Sequence, residues 1–293
     1  MRFITTENTP RRDFHQYMLG SFVPRPIALV STMGKNGVYN LAPFSYFNAV
    51  SSVPPVLMVS VGRSPNGKKK DTLQNIEENG EFVVNMVNYG MLRQMTLASV
   101  AFPPEQSEFE MAGFKPIKST MLNIPRVEGA PIQFECKVKK IIELGDGPGE
   151  SSVVFGDILC MHVDEGVIDE NNRIDPVKLD VMGRLGRSNY TRITQESIET
   201  AVQAQFSNPV TYPNLPEHIR SSKILSANEI AILAAVDITD WLEKTESKGE
   251  SGDVDFLNNP QMHHEAIKNA LKCNNISRAI RLAGLGLKNK QNT

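Results

Sequence analysis

Four cations and two small hydroxyls gather at one strand-to-helix transition in this chain. Ser60 lies near the end of the apolar run PPVLMVSVG; Arg63, Lys68, Lys69 and Lys70 follow; Asp71 and Thr72 open DTLQNIEENG. Free N–H groups at a helix start, the positive end of its dipole and nearby ammonium groups all favour a bound dianion. Ser60 could add a hydroxyl. Asp71, as the N-cap, would engage its carboxylate with backbone N–H groups and could also orient a lysine. A phosphate would then be held without a glycine-rich P-loop, a pattern the sequence lacks. On charge alone, the same GRSPNGKKKD stretch also reads as a solvated loop.

Two further stretches carry unusual chemistry. NLAPFSYFNAVSSVPP (40–55) is apolar and aromatic, but interrupted by Asn40, Pro43, Ser45 and Asn48. Proline is excluded from the interior of a regular central strand. An irregular strand would free backbone N–H groups to address the polar edge of a flat ring system, with Phe44, Tyr46 and Phe47 as apolar walls. The alternative is an ordinary edge strand with a bulge. DVMGRLGRSNYTRI (180–193) places small residues, arginines and a tyrosine outside any periodic element. It reads as a loop over a site or as a structural turn.

Other chemistries find little support. Cys136, Cys160 and Cys273 form no Cys-x-x-Cys; the first two sit in apolar runs and read as small buried hydrophobes. His263 and His264 are adjacent, so one helix face cannot offer both to a metal. The histidines read as surface or structural residues, and no metal ligand set is assigned. No Gly-x-Ser-x-Gly appears. Lys+Arg 31 against Asp+Glu 33 gives a net charge of −2, which argues against a general binder of nucleic acid or membrane surfaces. The N-terminus has no apolar leader and no run reaches membrane-spanning length, so a cytoplasmic location is expected.

These residues must be positioned by a set of short elements. RPIALVST, PPVLMVSVG and EFVVNMVN read as strands, the second buried on both faces, with Asn36-Gly37 as a hairpin turn. DTLQNIEENG reads as a helix closed by Gly80, and YGMLRQMTLASV has helical spacing. PIQFECKVKKIIEL alternates, with Phe134, Cys136 and Val138 inward and Glu135, Lys137 and Lys139 on a wet face. GDGPGE turns it into the partner strand SSVVFGDILCMHV. Many short strands at hairpin spacing predict a closed or nearly closed antiparallel barrel. From about Thr194 the texture becomes helical. QESIETAVQAQF and SANEIAILAAVDITDWLEKTE are periodic, with a capping box at Ser226 and Glu229. SKGESGDVD is a polar connector, and two short helices follow. After Glu265 every charged residue is basic. The division expected is 1–195, mainly β with helices, and 196–293, a mostly helical extension.

VPRPIALVST, NLAPFSYFNAVSSVPPVLMVSV, KKDTLQNIEENGEFVVN and RLGRSNY occur in one order over residues 12–195. In this they resemble the flavin reductase-like family, the flavoredoxin-type branch of FMN-binding split-barrel proteins. The resemblance implies a homodimeric split β-barrel with one FMN per subunit near the interface. It implies that Asn40, Ala42, Pro43, Phe44 and Ser45 border the isoalloxazine, and that Ser60, Arg63, Lys70, Asp71 and Thr72 surround the ribityl phosphate. Arg184, Leu185, Gly186 and Tyr190 match the family's late motif near the flavin, although Arg187 replaces its usual second glycine. The implied activity is hydride transfer from NAD(P)H to FMN, with no catalytic side-chain acid or base required. The alternative is an FMN electron carrier serving a protein partner without oxidising NAD(P)H itself; a third reading is a barrel scaffold with no flavin. The helical extension has no counterpart in the family pattern. A site-capping role would bury Trp241 near the barrel, and a partner-binding role would leave basic residues 268–290 exposed.

Overall fold

A computed structural model describes residues 1–201, 208–246 and 259–285, which form two compact units, Met1–Ile198 and Glu199–Thr293. In the first unit, helix α1 (Arg11–Ser21) precedes strands β1 (Ala28–Met33), β2 (Tyr39–Phe44), β3 (Phe47–Ser52) and β4 (Pro55–Gly62). Helix α2 (Asp71–Asn79) leads to β5 (Glu81–Met86), a 3-10 turn at 89–91, α3 (Leu92–Leu97), α4 (Glu108–Met111) and the short β6 (Pro116–Ile117) and β7 (Arg126–Val127). The long β8 (Ile132–Glu143) and β9 (Ser151–Val163) follow, then α5 (Pro176–Leu179), β10 (Met182–Arg184) and β11 (Tyr190–Arg192).

Seven of these strands form one antiparallel sheet in the order β2-β1-β5-β8-β9-β4-β3. Its two edges, β2 and β3, are consecutive in the chain and joined only by Ser45 and Tyr46. Such a sheet must curl until its edges nearly meet. The expected near-closed barrel is therefore dictated by connectivity, and its seam lies at residues 45–46. Val30, Leu57, Val59, Phe82, Val84 and Val154 belong to one buried cluster. Gly156 permits the packing of Phe82, since a Cβ there would lie 2.5 Å from its ring. β1 is buried on both faces, with Ala28 and Val30 in that cluster and Ile27 and Leu29 in a second one around Met95 and Phe109, as a two-residue period requires.

Expectations for β4, α2 and β8 are corrected. β4 buries only one face, because Met58, Ser60 and Gly62 are half-exposed between Leu57, Val59 and Val61. The N-cap of α2 is Lys70, which makes no side-chain cap bond; Asp71 is the first helical residue. Glu135 is fully buried rather than on a wet face. The loop 118–124 folds across it, and its carboxylate accepts hydrogen bonds from the backbone N–H groups of Thr120, Met121 and Leu122 at 2.7, 2.7 and 3.0 Å. His162 Nε2 lies 2.7 Å away. Strand alternation gave no sign of a loop that supplies donors from above.

The second unit contains α6 (Glu217–Arg220), α7 (Ala227–Ala234), α8 (Ile238–Glu246), α9 (Pro260–Lys272) and α10 (Ile276–Leu285). The long periodic run expected after Ser226 is thus two helices. Asp237 breaks it by accepting from the N–H groups of Thr239 and Asn208 at 2.9 and 3.0 Å. The capping box at Ser226 and Glu229 is present. Helical structure expected over 195–206 is limited to a 3-10 turn at 195–197, with 202–207 outside the described residues. The polar connector 247–255 and basic residues 288 and 290 also lie outside them. Trp241 is buried, but in this unit's own core with Leu233, Ile267 and Ile280. Among the described residues no helix is long and apolar enough to cross a membrane.

Burial by itself would raise the Glu135 pKa, but the N–H of Thr120, His162 and the N–H groups of Met121 and Leu122 together outweigh it and lower the pKa. A depressed folded-state pKa stabilises above the unfolded value, about 4.3, and the stabilisation is lost as pH falls through the folded value. Glu135→Gln is expected to cost about 3 kcal/mol at pH 7 and to flatten the acid limb of stability. Denaturant melts of both proteins between pH 3 and 7 measure this; parallel acid limbs would contradict it.

Candidate functional site

Three segments that the sequence separates meet at the barrel seam. A cleft of about 970 Å³ is lined by Pro43, Phe44 and Ser45 from β2 and the seam. Tyr89, Arg93 and Thr96 line it from the 3-10 turn and α3, and Met182, Arg184, Leu185 and Tyr190 from the β10–β11 hairpin. This size suits one organic ligand.

β2 runs through Pro43 without a break because it is an edge strand. The Leu41 N–H, which faces away from β1, is taken by the Glu108 carboxylate at 2.9 Å. Two residues on, at the next outward position, Pro43 has no N–H to leave unpaired, which is the position proline tolerates. The bulge falls later, between Ala49 and Ser51 where β3 pairs with β4. The edge-strand reading of 40–55 therefore holds, and it is compatible with a site. Burial raises the Glu108 pKa, while the Leu41 N–H and its own N–H pull it down and Asp71 adds to the rise.

The seam is fastened by Arg25, a residue the sequence reading quoted in its motif but assigned no role. Arg25 is buried. Its Nη1 donates to the carbonyls of Leu19 and Phe22 at 2.7 and 2.8 Å, and its Nη2 to that of Leu185 at 3.2 Å. Its Nε reaches Ser45 Oγ at 3.4 Å, and its guanidinium lies 5.9 Å from the Tyr46 ring centroid. Backbone hydrogen bonds pair Arg25 with Arg184 in both directions. One side chain thus ties the end of α1, the seam and the late hairpin. The available signal was an arginine between two prolines, Pro24 and Pro26, ahead of a buried strand.

The region 180–193 is a structural turn and also a wall of the cleft. β10 and β11 pair from Met182–Arg192 to Arg184–Tyr190. The Arg184 guanidinium sits 4.5 Å from the Tyr190 ring centroid, and that of Arg192 sits 4.3 Å from the Tyr89 centroid. Arg187 has a φ of +57°, in the region that favours glycine.

Phe44 connects the cleft to the helix start. Its ring lines the cleft and lies 5.7 Å from Lys70 Nζ. Lys70 is exposed and makes no ion pair among the described residues. The Asp71 and Thr72 N–H groups have no hydrogen-bond partner among the described residues, because the first bonded amides of α2 are those of Leu73 and Gln74, both to the Lys70 carbonyl. Arg63 leans on Glu143 at 3.1 Å, and its buried Nε has no hydrogen-bond partner. Lys69 is occupied by Glu77 and Glu143. Ser60 is half-exposed, and its N–H holds the Tyr46 carbonyl at 2.8 Å.

Other expected site residues stand further back. Asn40 is buried, with its amide donating to Thr32 and Thr72 hydroxyls at 3.1 and 3.0 Å. Thr72 is buried too, with its hydroxyl oxygen accepting that bond from Asn40. Asn40 and Asp71 line a separate hollow of about 320 Å³ with Glu108. Ala42 packs on the barrel core. Cys160, read as a buried hydrophobe, is half-buried with Sγ 3.7 Å from His162 Nε2. Burial and then Glu135 raise its thiol pKa, and the Glu135 oxygens are already engaged, so this trio is not a nucleophile relay.

The flavin reductase like domain model matches residues 19–178, and the chain belongs to that family. An uncharacterized protein of Aquifex aeolicus is 40% identical over 192 residues, covering 66% of this chain and 95% of that protein. Among solved structures, nitrilotriacetate monooxygenase component B from Bacillus cereus is similar with a TM-score of 0.64 and 34% identity, covering 68% of this chain and 98% of that one. The 2-nitrobenzoate 2-nitroreductase NbaA of Pseudomonas fluorescens has a TM-score of 0.62 and 36% identity, covering 69% and 96%.

Arg187→Gly is expected to raise stability by about 0.5–1 kcal/mol, the relief of a left-handed arginine less the added freedom of the unfolded glycine. A rise in Tm measures it; an unchanged or lower Tm would show that the turn is unstrained.

Proposed function

We propose that this chain is an FMN-dependent oxidoreductase that takes electrons from NAD(P)H. The observation that carries the reading is Phe44. Its ring joins an organic-ligand cleft to a helix start with free N–H groups and an unpaired lysine, the two ends that a flat ring with a phosphate tail requires.

The residues present fit such a group. The Asp71 and Thr72 N–H groups, Lys70 and the partnerless Arg63 Nε provide donors for a dianion. Ser60 and the Thr72 hydroxyl could add to them. Phe44, Ser45 and Pro43 would border the ring on one side, with Tyr190 and Arg184 toward the mouth. When bound, FMN supplies the redox chemistry, accepting a hydride from the reduced nicotinamide. The chain's part is to hold the ring at the seam, to leave one face open to the donor, and to place donors near the ring's polar edge. No side-chain acid or base is assigned to that step.

A homodimer is the proposed assembly. The exposed apolar residues Val50 and Val53, in and just after edge strand β3, are suited to burial against another copy. The three free cysteines support a reducing, cytoplasmic location.

Purified protein loaded with FMN should bleach near its visible flavin maximum when NADH or NADPH is added anaerobically. Protein that stays oxidised with both nicotinamides, yet accepts electrons from a reduced protein donor, would replace this reading with that of an electron carrier.

A further inference from the structure

The second unit gathers three of the chain's five histidines. One ring nitrogen from each of His218, His263 and His264 lies within 4.8 Å of the others, and their ring centroids are 5.7–5.8 Å apart. His263 and His264 are adjacent on α9, a spacing that by itself argues against shared ligation. Both are buried nevertheless, because α9 is covered over a face wide enough to include both. His218, on α6, brings the third ring to them.

We propose that His218, His263 and His264 form a binding site for one divalent transition-metal ion of the zinc type, which ties α6 to α9.

The chemistry of the donors supports this. His263 Nε2 lies 2.7 Å from the Leu282 carbonyl, which can only accept, so the lone pair of the neutral ring is on Nδ1. His264 Nδ1 lies 2.9 Å from Ser222 Oγ, and with its proton on Nδ1 the ring presents Nε2. Ser222 Oγ also meets the N–H groups of Ile224 and Leu225 at 3.2 and 3.1 Å. These two bonds take both lone pairs of the oxygen, so without metal its own proton goes to His264 Nδ1 and the ring proton sits on Nε2. Metal binding at Nε2 requires the ring proton to move to Nδ1, a tautomer change with no net proton lost. His218 Nε2 is buried and has no hydrogen-bond partner among the described residues; a cation would supply one. Metal-bound histidines typically have their second nitrogen held in this way. Three imidazoles suit zinc, copper or nickel, with water in the fourth position. Ligand nitrogens around tetrahedral zinc stand about 3.3 Å apart, from bonds of about 2.0 Å. The rings would therefore draw together by roughly 1.5 Å or less, within reach of side-chain rotation.

The test uses the full-length chain without an affinity tag, stripped with chelator and titrated with Zn²⁺. The expected result is one ion per chain at micromolar or lower Kd, with a higher Tm. His218→Gln, at the least buried of the three positions, should weaken binding by about 100-fold or more while leaving the helical circular dichroism intact. Ser222→Ala, which removes a positioning contact, should weaken it by about 10-fold. His15→Gln, on the exposed face of α1, should change nothing. No binding at micromolar zinc, or binding that survives His218→Gln unchanged, would overturn the proposal and leave three packed neutral rings.

Discussion

Ser45 and Tyr46 alone span the gap between the two edges of a seven-stranded sheet. From Phe44 to Phe47 the chain makes three steps and reaches roughly 10 Å at most, so the sheet cannot lie open. Its curl, the burial of both faces of β1 and the location of the cleft all follow from that short tether. The Tyr46 carbonyl continues the β3–β4 register by accepting from Ser60, while the Ser45 hydroxyl meets Arg25. A buried guanidinium spending its donors on three carbonyls is costly unless each bond is kept. This makes Arg25 the fastening on which the geometry of the cleft depends.

From the seam the site extends in one direction along a continuous path. Phe44 lines the cleft and touches Lys70; Lys70 caps α2 without a side-chain acceptor, so the first N–H groups of the helix stay open. A serine or aspartate at that cap would have filled the place a ligand anion is proposed to take. Asp71 is displaced by one position and turns toward the hollow it shares with Glu108. The sequence pattern of cations before a helix thus has a structural counterpart, although among the described residues Lys69 is committed to Glu77 and Glu143 and Arg63 in part to Glu143.

Much of this organisation was legible in the sequence because it rests on local signals. Gly80 closes α2 at a φ of +69°, Asn36-Gly37 turns β1 into β2, and Ser226 with Glu229 caps α7. What the sequence hid depends on contacts across the fold. Glu135 alternates like a surface residue, but a loop fifteen residues away supplies its donors. Arg25 has no neighbour in sequence that reveals its carbonyl partners. His263 and His264 look divergent until α6 brings His218 between them. The family resemblance located the segments, and only the closure of the sheet explains why 43–45 and 184–190 share one cleft.

The account rests most heavily on an anionic tail anchored at the start of α2. Calorimetric affinities of the apoprotein for FMN and for riboflavin, measured for the natural sequence and for Lys70→Ala, address it directly. Two charge-assisted hydrogen bonds of about 1.5–3 kcal/mol each predict that FMN binds at least about 100-fold more tightly than riboflavin. The Lys70 change should narrow that gap about tenfold by weakening FMN alone. Equal affinities for the two ligands, or a Lys70→Ala loss shared by both, would contradict the claim.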